Sequence, residues 1–458
     1  MNRAIASLAG AIVCFFVLIF LEQYKFSKIF DLLFGTARDG FVNFHSISLI
    51  LAMMFIVQIA HESGLFQFIS ISLIKMSKAK PILLMIFFCL ITLFLSAILN
   101  NILTVIILIP LTITVSRILN INPSPYILTQ AILVNIGGTM FSISSIPNIL
   151  ITTYAEITFV EFFLNVGILS LVVFVFTLLF FIMLYRKDLI IPKESLDIMR
   201  EYNVWNFVQN RALLYKSMIS LILLLILFII IPPEVLAPDT IAWIIAIALL
   251  LISRLNPRDL ISKLDFELIL YLLGIFIIAG ALELSGILNL FGTLISTLGG
   301  GNTYLLLLLI LWLSAGLSSS IDNIPITQVL IPVVGGIQNL SSEGLGTQLF
   351  YSLAIGANWG DNLTPMGDNI LVMNICEQNK RPLTFSQFFR LGFFTTIYQL
   401  LIITLYFTVI FKFILGISLI LIISCIIIVF YAFFKISKEK FNSSIGNLLN
   451  KIRKYIVG

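Results

Sequence analysis

The stretch LSAILNNILTVIILIP, residues 95–110, returns as LSSSIDNIPITQVLIP at residues 317–332, 222 residues later. Seven of sixteen positions are identical, among them Ser96/Ser318, Asn101/Asn323 and Pro110/Pro332. Leu and Ile matches carry little weight in so apolar a chain; the Ser, Asn and Pro matches carry most of it. An internal repeat sets the architecture before any single helix is drawn. At the same offset ESGLF (62–66) meets LSGIL (284–288). Further on, TFVEFF (158–163) echoes TFSQFF (384–389). Both begin with a capping-box pattern, Thr158 with Glu161 and Thr384 with Gln387, which marks a helix start.

The surroundings of the repeat place it in a membrane. The chain has 458 residues, 60% hydrophobic and 11% charged, where a soluble domain carries about 25% charge. That excludes a disordered chain, a nucleic-acid binder and an ordinary cytosolic enzyme. Spans are expected over 4–21, 45–60, 81–97, 102–118, 127–142, 160–185, 214–232, 240–253, 266–282, 303–317, 323–337, 347–357, 388–411 and 415–434. A crossing takes about 20 apolar residues, so the shorter segments read as re-entrant hairpins or broken helices. The N-terminal run after Arg3 is long for a signal peptide and reads as a retained span. Cys14, Cys89, Cys376 and Cys425 are scattered, and His45 and His61 are the two histidines, so neither a disulfide framework nor a His-based metal cluster is expected.

The cations orient the chain. Lys75/Lys78/Lys80, Arg186 to Lys216, Arg254/Arg258/Lys263, Lys380/Arg381/Arg390 and the tail after Lys435 are assigned to the cytoplasm, and the acidic turn 231–239 to the outside. The segment after Ser63-Gly64 then holds three lysines, and the one after Ser285-Gly286 has no cation. The Thr158 helix start is flanked by Glu156 and Glu161, and the Thr384 start by Arg381 and Arg390. Matching elements therefore fall on opposite sides. That is an inverted-topology repeat, a common plan of secondary transporters. Arg117 is expected to snorkel to an interface, and His61-Glu62 to end a span at one.

Each copy carries two polar breaks in apolar sequence. They are Asn100-Asn101 and NIGGTMFSISSIPN (135–148), then SSSIDNIP (318–325) and NWGDNLTPMGDN (358–369). Such interrupted segments offer half-helix ends to an ion near the bilayer midplane. A carboxylate there costs about 2.5–3.5 kcal/mol on insertion scales, so it marks function. Asp322, Asp361 and Asp368 qualify, in a stretch with no Lys or Arg between 264 and 379. Carboxylates without a basic partner point to Na⁺ or H⁺ as coupling ion. Asp322 with Asn323, opposed by Asn100 and Asn101, is the expected cation site. Asn135, Gly137, Gly138, Asn148, Ser318, Asn358, Asp361, Asn362, Thr364 and Asp368 complete it.

These motifs resemble the ArsB/NhaD permease group of the ion transporter superfamily. The likeness rests on LNNILTVIILIP, NIGGTMFSISSIPNIL, DNIPITQVLIP, GANWGDNLTPMGDNI and TFSQFFRLGF, and covers roughly residues 45–411. It implies arsenite efflux, Na⁺/H⁺ exchange or sodium-driven anion uptake. It also implies a scaffold part, a mobile part with two hairpins, and a homodimer working by an elevator-like step. Asn100, Asn101, Asn135, Gly137, Gly138, Asn148, Asp322, Asn323, Asn358 and Asn362 fall on the group's site motifs. The chain departs from P-protein-like members at Ser144-Ser145-Ile146-Pro147-Asn148, where those commonly have Gly-Asp-Pro-Pro-Asn.

The expected protein is thus an all-α polytopic membrane protein of roughly 10–12 spans. Its parts are an N-terminal span and loop (1–44), copy one (45–186), a cytoplasmic loop and helical pair (187–264), copy two (265–411), a last span (412–434) and a basic amphipathic tail (435–458). It is expected in the cell membrane with a cytoplasmic C-terminus. The partners are lipid and a small inorganic or organic ion, and no nucleic acid. No GxxxxGK[ST] sequence occurs, so energy comes from an ion gradient or a separate ATPase subunit. An intramembrane enzyme is the remote rival, with His45 and His61 far in sequence from Ser318, Ser319 and Ser320.

Overall fold

The computed structural model describes residues 2–20, 42–77, 80–189, 204–340, 347–367 and 369–422, with Gln23, Lys25 and Ile29 besides. Lys78, Lys193, Arg200, Asp368 and the tail from Lys435 lie outside the described residues. Every regular element among those described is helical. Helix α1 spans Arg3–Phe20. Copy one holds α2 (Phe44–Glu62), α3 (Leu65–Met76), α4 (Pro81–Ile98), α5 (Asn101–Ile118), α6 (Ser124–Gly137), α7 (Ile146–Tyr154) and α8 (Phe159–Tyr185). Two linking helices follow, α9 (Arg211–Ile230) and α10 (Pro238–Ser253). Copy two is α11 (Phe266–Leu284), α12 (Ile287–Gly299), α13 (Thr303–Ser318), α14 (Asn323–Leu340), α15 (Gln348–Gly360), α16 (Asn369–Gln378) and α17 (Phe385–Phe411). Helix α18 is Phe413–Ile422.

The copies correspond helix for helix, α2 to α11 through α8 to α17. The same residue types start and bend the matched helices. Gly64 and Gly286, both at positive φ, open α3 and α12. Pro110 and Pro332 sit inside α5 and α14, where each removes one backbone donor. Thr158 and Thr384 cap α8 and α17. Only Thr384 forms the full box. The Glu161 side chain turns away from Thr158 and accepts from Tyr351 Oη at 2.7 Å and Thr347 Oγ1 at 3.0 Å.

Eight of the described helices are long and apolar enough to cross a membrane. Copy one contributes α2, α4, α5 and α8, and copy two α11 and α17. Four helices escaped the sequence reading: α3, α7, α12 and α16, at 12, 9, 13 and 10 residues. The expected span 127–142 is broken, because α6 stops at Gly137 and the chain turns until Ile146.

The inversion follows from pairs at the helix ends. His45 Nδ1 lies 3.0 Å from Asp239 Oδ2, so α2 and α10 start together. Lys263 Nζ donates to Glu62 Oε1 at 2.7 Å, so α2 ends where α11 begins. The matched helices α2 and α11 therefore run in opposite directions. A labelling experiment checks it: cysteines at Lys75 and Thr297, in the last turns of α3 and α12, are expected to react with impermeant reagent from opposite faces of sealed vesicles. Reaction from one face refutes the inversion.

Candidate functional site

Each copy builds a hairpin and a broken helix. The hairpin tips are Leu99-Asn100 between α4 and α5, and residues 319–322 between α13 and α14. Asn100 and Asp322 are counterparts at the offset of 222. Asn100 Oδ1 caps α5 by accepting from the Leu103 N–H at 2.8 Å. Asp322 Oδ1 accepts from the Ile324 N–H at 3.4 Å. The broken helices are α6–α7, interrupted at 138–145, and α15–α16, interrupted by a 3-10 turn at Asp361–Leu363.

The two breaks meet, and buried amides tie them. Asn101 Nδ2 donates to Asn135 Oδ1 at 2.6 Å. Asn135 Nδ2 in turn donates to Asn362 Oδ1 at 2.8 Å and lies 3.4 Å from Asp361 Oδ2. Asn362 Nδ2 reaches back to the Ile132 carbonyl at 2.9 Å. Asn358 Nδ2 donates to Asn148 Oδ1 at 2.8 Å, and Trp359 Nε1 to Thr139 Oγ1 at 2.9 Å. Asn135, Asn148, Asn358 and Asn362 are fully buried, and Asp361 is 2% exposed. An amide withdrawn from water costs several kcal/mol without a partner, which is why such groups bond to each other across the copies.

Within each copy the same positions make the same bonds. Ser96 Oγ donates to the Val134 carbonyl, and Ser318 Oγ to the Ala357 carbonyl. Asn148 Nδ2 donates to the Gly138 carbonyl at 2.9 Å, and Asn369 Nδ2 to the Asp361 carbonyl at 3.0 Å. Asn369 therefore braces the second break as Asn148 braces the first. The sequence reading omitted Asn369, although it ends the second motif as Asn148 ends the first. The second break is two residues shorter: the bond spans ten residues in copy one and eight in copy two. Gly137 and Gly360 are counterparts that let each broken helix close on its hairpin arm. A Cβ on Gly137 would press on the Leu93 carbonyl, and one on Gly360 on the Ala315 backbone. Gly138 likewise leaves room for the Asn101 side chain.

One bond breaks the symmetry. Asn135 Oδ1 is filled by Asn101, but its counterpart, Asn358 Oδ1, is buried with no hydrogen-bond partner among the described residues. The residue equivalent to Asn101 is Asn323, buried at the start of α14. Thr364 Oγ1 donates to the Ser319 carbonyl and pins the second break to its hairpin tip.

The expectation that Asp322 lacks a basic partner is corrected. Arg3 Nη1 of α1 lies 3.9 Å from Asp322 Oδ2. Sequence distance hid this, because Arg3 precedes the repeat by a whole helix and loop. No hydrogen bond or ion pair joins Asp322 or Asn323 to Asn100 or Asn101 among the described residues. Arg117 does more than snorkel. Its Nη2 donates to the Asn379 carbonyl at 2.6 Å, tying the end of α5 to the end of α16.

A cavity opens beside the crossing, lined by Met53 and Met54 of α2, Asn100, Ser144, Ser145 and Leu268, among others. The N-terminal ends of α5 and α7 both face it, and no charged side chain lines it. No group of three or more His, Cys, Asp or Glu side chains that could hold a metal occurs among the described residues.

Comparison with known proteins places the chain among membrane transporters. A citrate transporter family model matches residues 1–347. A 46 kDa membrane protein of Mycobacterium leprae is 28% identical over 88% of this chain and 93% of its own length. An uncharacterized transporter of Mycobacterium tuberculosis is 29% identical over 81% of this chain and 87% of its own. The human P protein is 26% identical over 77% of this chain and 52% of its own. The fold is similar to the crystal structure of the Alcanivorax borkumensis YdaH transporter, with a TM-score of 0.56 and 15% identity, covering 84% and 88% of the two chains. The chain belongs to the citrate transporter (CitMHS) family of membrane transporters.

Proposed function

We propose that the protein is a cation-coupled secondary carrier of a small anion of citrate's kind, working by alternating access. The cavity beside the crossing carries this reading. Two half-helix N-termini, at Asn100 and at Ser145-Ile146, face it. Each presents the positive end of a helix dipole, which favours an anion, although Asn100 Oδ1 and Ser145 Oγ already take the Leu103 and Asn148 N–H groups and Pro147 has none. The lining holds no carboxylate to repel it.

The coupling cation belongs on the other side of the ledger. Asp361, Asn362 and the unfilled Asn358 Oδ1 offer hard oxygen atoms at the crossing, and Asp322 offers a carboxylate at the second hairpin tip. Na⁺ suits such oxygen ligands, and H⁺ suits the carboxylates alone. A second reading, Na⁺/H⁺ exchange, draws on the same two acids. Arsenite efflux finds less support, because the cysteines are sparse and none lines the cavity. The basic loops support a cytoplasmic C-terminus in the cell membrane. A homodimer is the proposed assembly.

The test is flux into reconstituted vesicles of citrate, arsenite or Na⁺ against H⁺, under imposed ion gradients. Citrate uptake is expected to follow the cation gradient. Uptake indifferent to every imposed cation gradient sinks the coupled reading. Asp322→Asn is expected to abolish coupled uptake while the protein still elutes as a monodisperse species. Wild-type flux in that variant removes Asp322 from the coupling machinery.

A further inference from the structure

We propose that Arg3 is a tethered counter-ion for Asp322 that holds the second hairpin tip against the N-terminal helix until a coupling cation takes its place. The placement of Arg3 is fixed by packing. Helix α1 lies along α11 with Ser7 against Gly274 and Gly10 against Ile278, a close approach that sets the register. Arg3 then lies near α11 through Asp265, at 3.8 Å, and through the Tyr271 ring, at 5.6 Å. Asp265 is itself fixed as the cap of α11, accepting from the Leu268 N–H at 3.0 Å. From that anchorage the guanidinium spans to Asp322 at the second hairpin tip.

The repeat gives the pairing its meaning. Asn100 and Asp322 occupy equivalent tips, and both cap the helix that follows. The cap needs only an oxygen, which Asn supplies as well as Asp. The charge on Asp322 is therefore surplus to capping. The cation lies against the tip that carries the charge, and it comes from a helix outside the repeat. Asp322 is only 18% exposed in its side chain, so moving it from Arg3 unpaired is costly. A cation that replaces the guanidinium removes that cost, so the hairpin is released when the ion arrives.

The test uses the full chain in lipid nanodiscs and hydrogen exchange of the backbone at residues 317–324. Arg3→Gln is expected to speed exchange there by roughly threefold, and Arg3→Lys to restore the parent rate. In an Asp322→Asn background, Arg3→Gln is expected to change nothing at the tip. Parent-rate exchange in Arg3→Gln overturns the proposal. An equal acceleration in the Asp322→Asn background also overturns it, since Arg3 would then act only through α11. A second arm rests on the coupling reading above: the Na⁺ concentration giving half-maximal change in tip exchange is expected to fall roughly threefold in Arg3→Gln. If Na⁺ does not affect wild-type exchange, Na⁺ coupling at this tip fails, while the first arm still decides the role of Arg3.

Discussion

Asn135→Leu is expected to cost the protein about 2–4 kcal/mol and to abolish transport. Leucine shares asparagine's branching but is bulkier, so some overpacking adds to the effect. The larger part of the loss is in hydrogen bonding. Asn101 Nδ2 loses its acceptor and Asn362 Oδ1 keeps only the longer contact from Asn369 Nδ2 at 3.4 Å, and these residues are 4% and 0% exposed. Hydrogen bonds between membrane helices average only about 0.6 kcal/mol in double-mutant cycles, because the freed groups find other partners. Here the freed groups sit inside the crossing, so the larger penalty for an orphaned buried group applies, about 1–3 kcal/mol each. Thermal unfolding in detergent measures it. The comparator is Asn165→Leu, an exposed amide bonded to the Glu161 carbonyl, expected within about 0.5 kcal/mol of the parent. Equal midpoints for the two variants would show that the crossing amides contribute nothing.

The second large effect is steric. Gly360→Ala is expected to destabilise by about 1–3 kcal/mol and to lower transport as well. The added methyl would strike the Ala315 backbone, which cannot rotate away as a side chain would. Relief requires α13 and α15 to separate one residue before Asp361. Gly316→Ala is the control on α13, where a Cβ meets nothing within 4 Å. Helix propensity should stabilise that variant by up to about 1 kcal/mol. If Gly360→Ala melts at or above the control, the close approach of the two helices is not needed.

The repeat was legible because equivalent side chains do equivalent work. Ser96 and Ser318 each bond a carbonyl of their own broken helix, so both stayed serine in sequence. The short helices were not legible. At 9 to 13 residues α3, α7, α12 and α16 fall below the length that hydropathy detects, and the breaks beside α7 and α16 are polar enough to look like loops. At the site, residue types pointed to Asp322 first, because a lone acid in apolar sequence stands out. The buried contacts gather around Asp361 as well, among Asn135, Asn362 and Asn369. Sequence spacing cannot rank them, since the crossing joins residues more than 200 apart. Nor could it place Arg3, whose partnership with Asp322 exists only through the docking of α1 on α11. Glu161 was read as a capping residue and is instead a clasp between the copies, for the same reason.

The crossing also decides what can move. Five buried bonds join copy one to copy two there, through Asn135, Asn358, Trp359, Asp361 and Asn362. Rocking one copy against the other would break all five together, at about 1 kcal/mol or more apiece for the shorter ones. The exposed pairs at the rim, His45 with Asp239 and Lys263 with Glu62, yield far more easily. So the sequence repeat is the hereditary unit but not the mechanical one. Under the alternating access proposed above, a moving body would be stitched from the middle of both copies, its seam with the frame would cut through each of them, and a lesion in either half would stall the whole carriage.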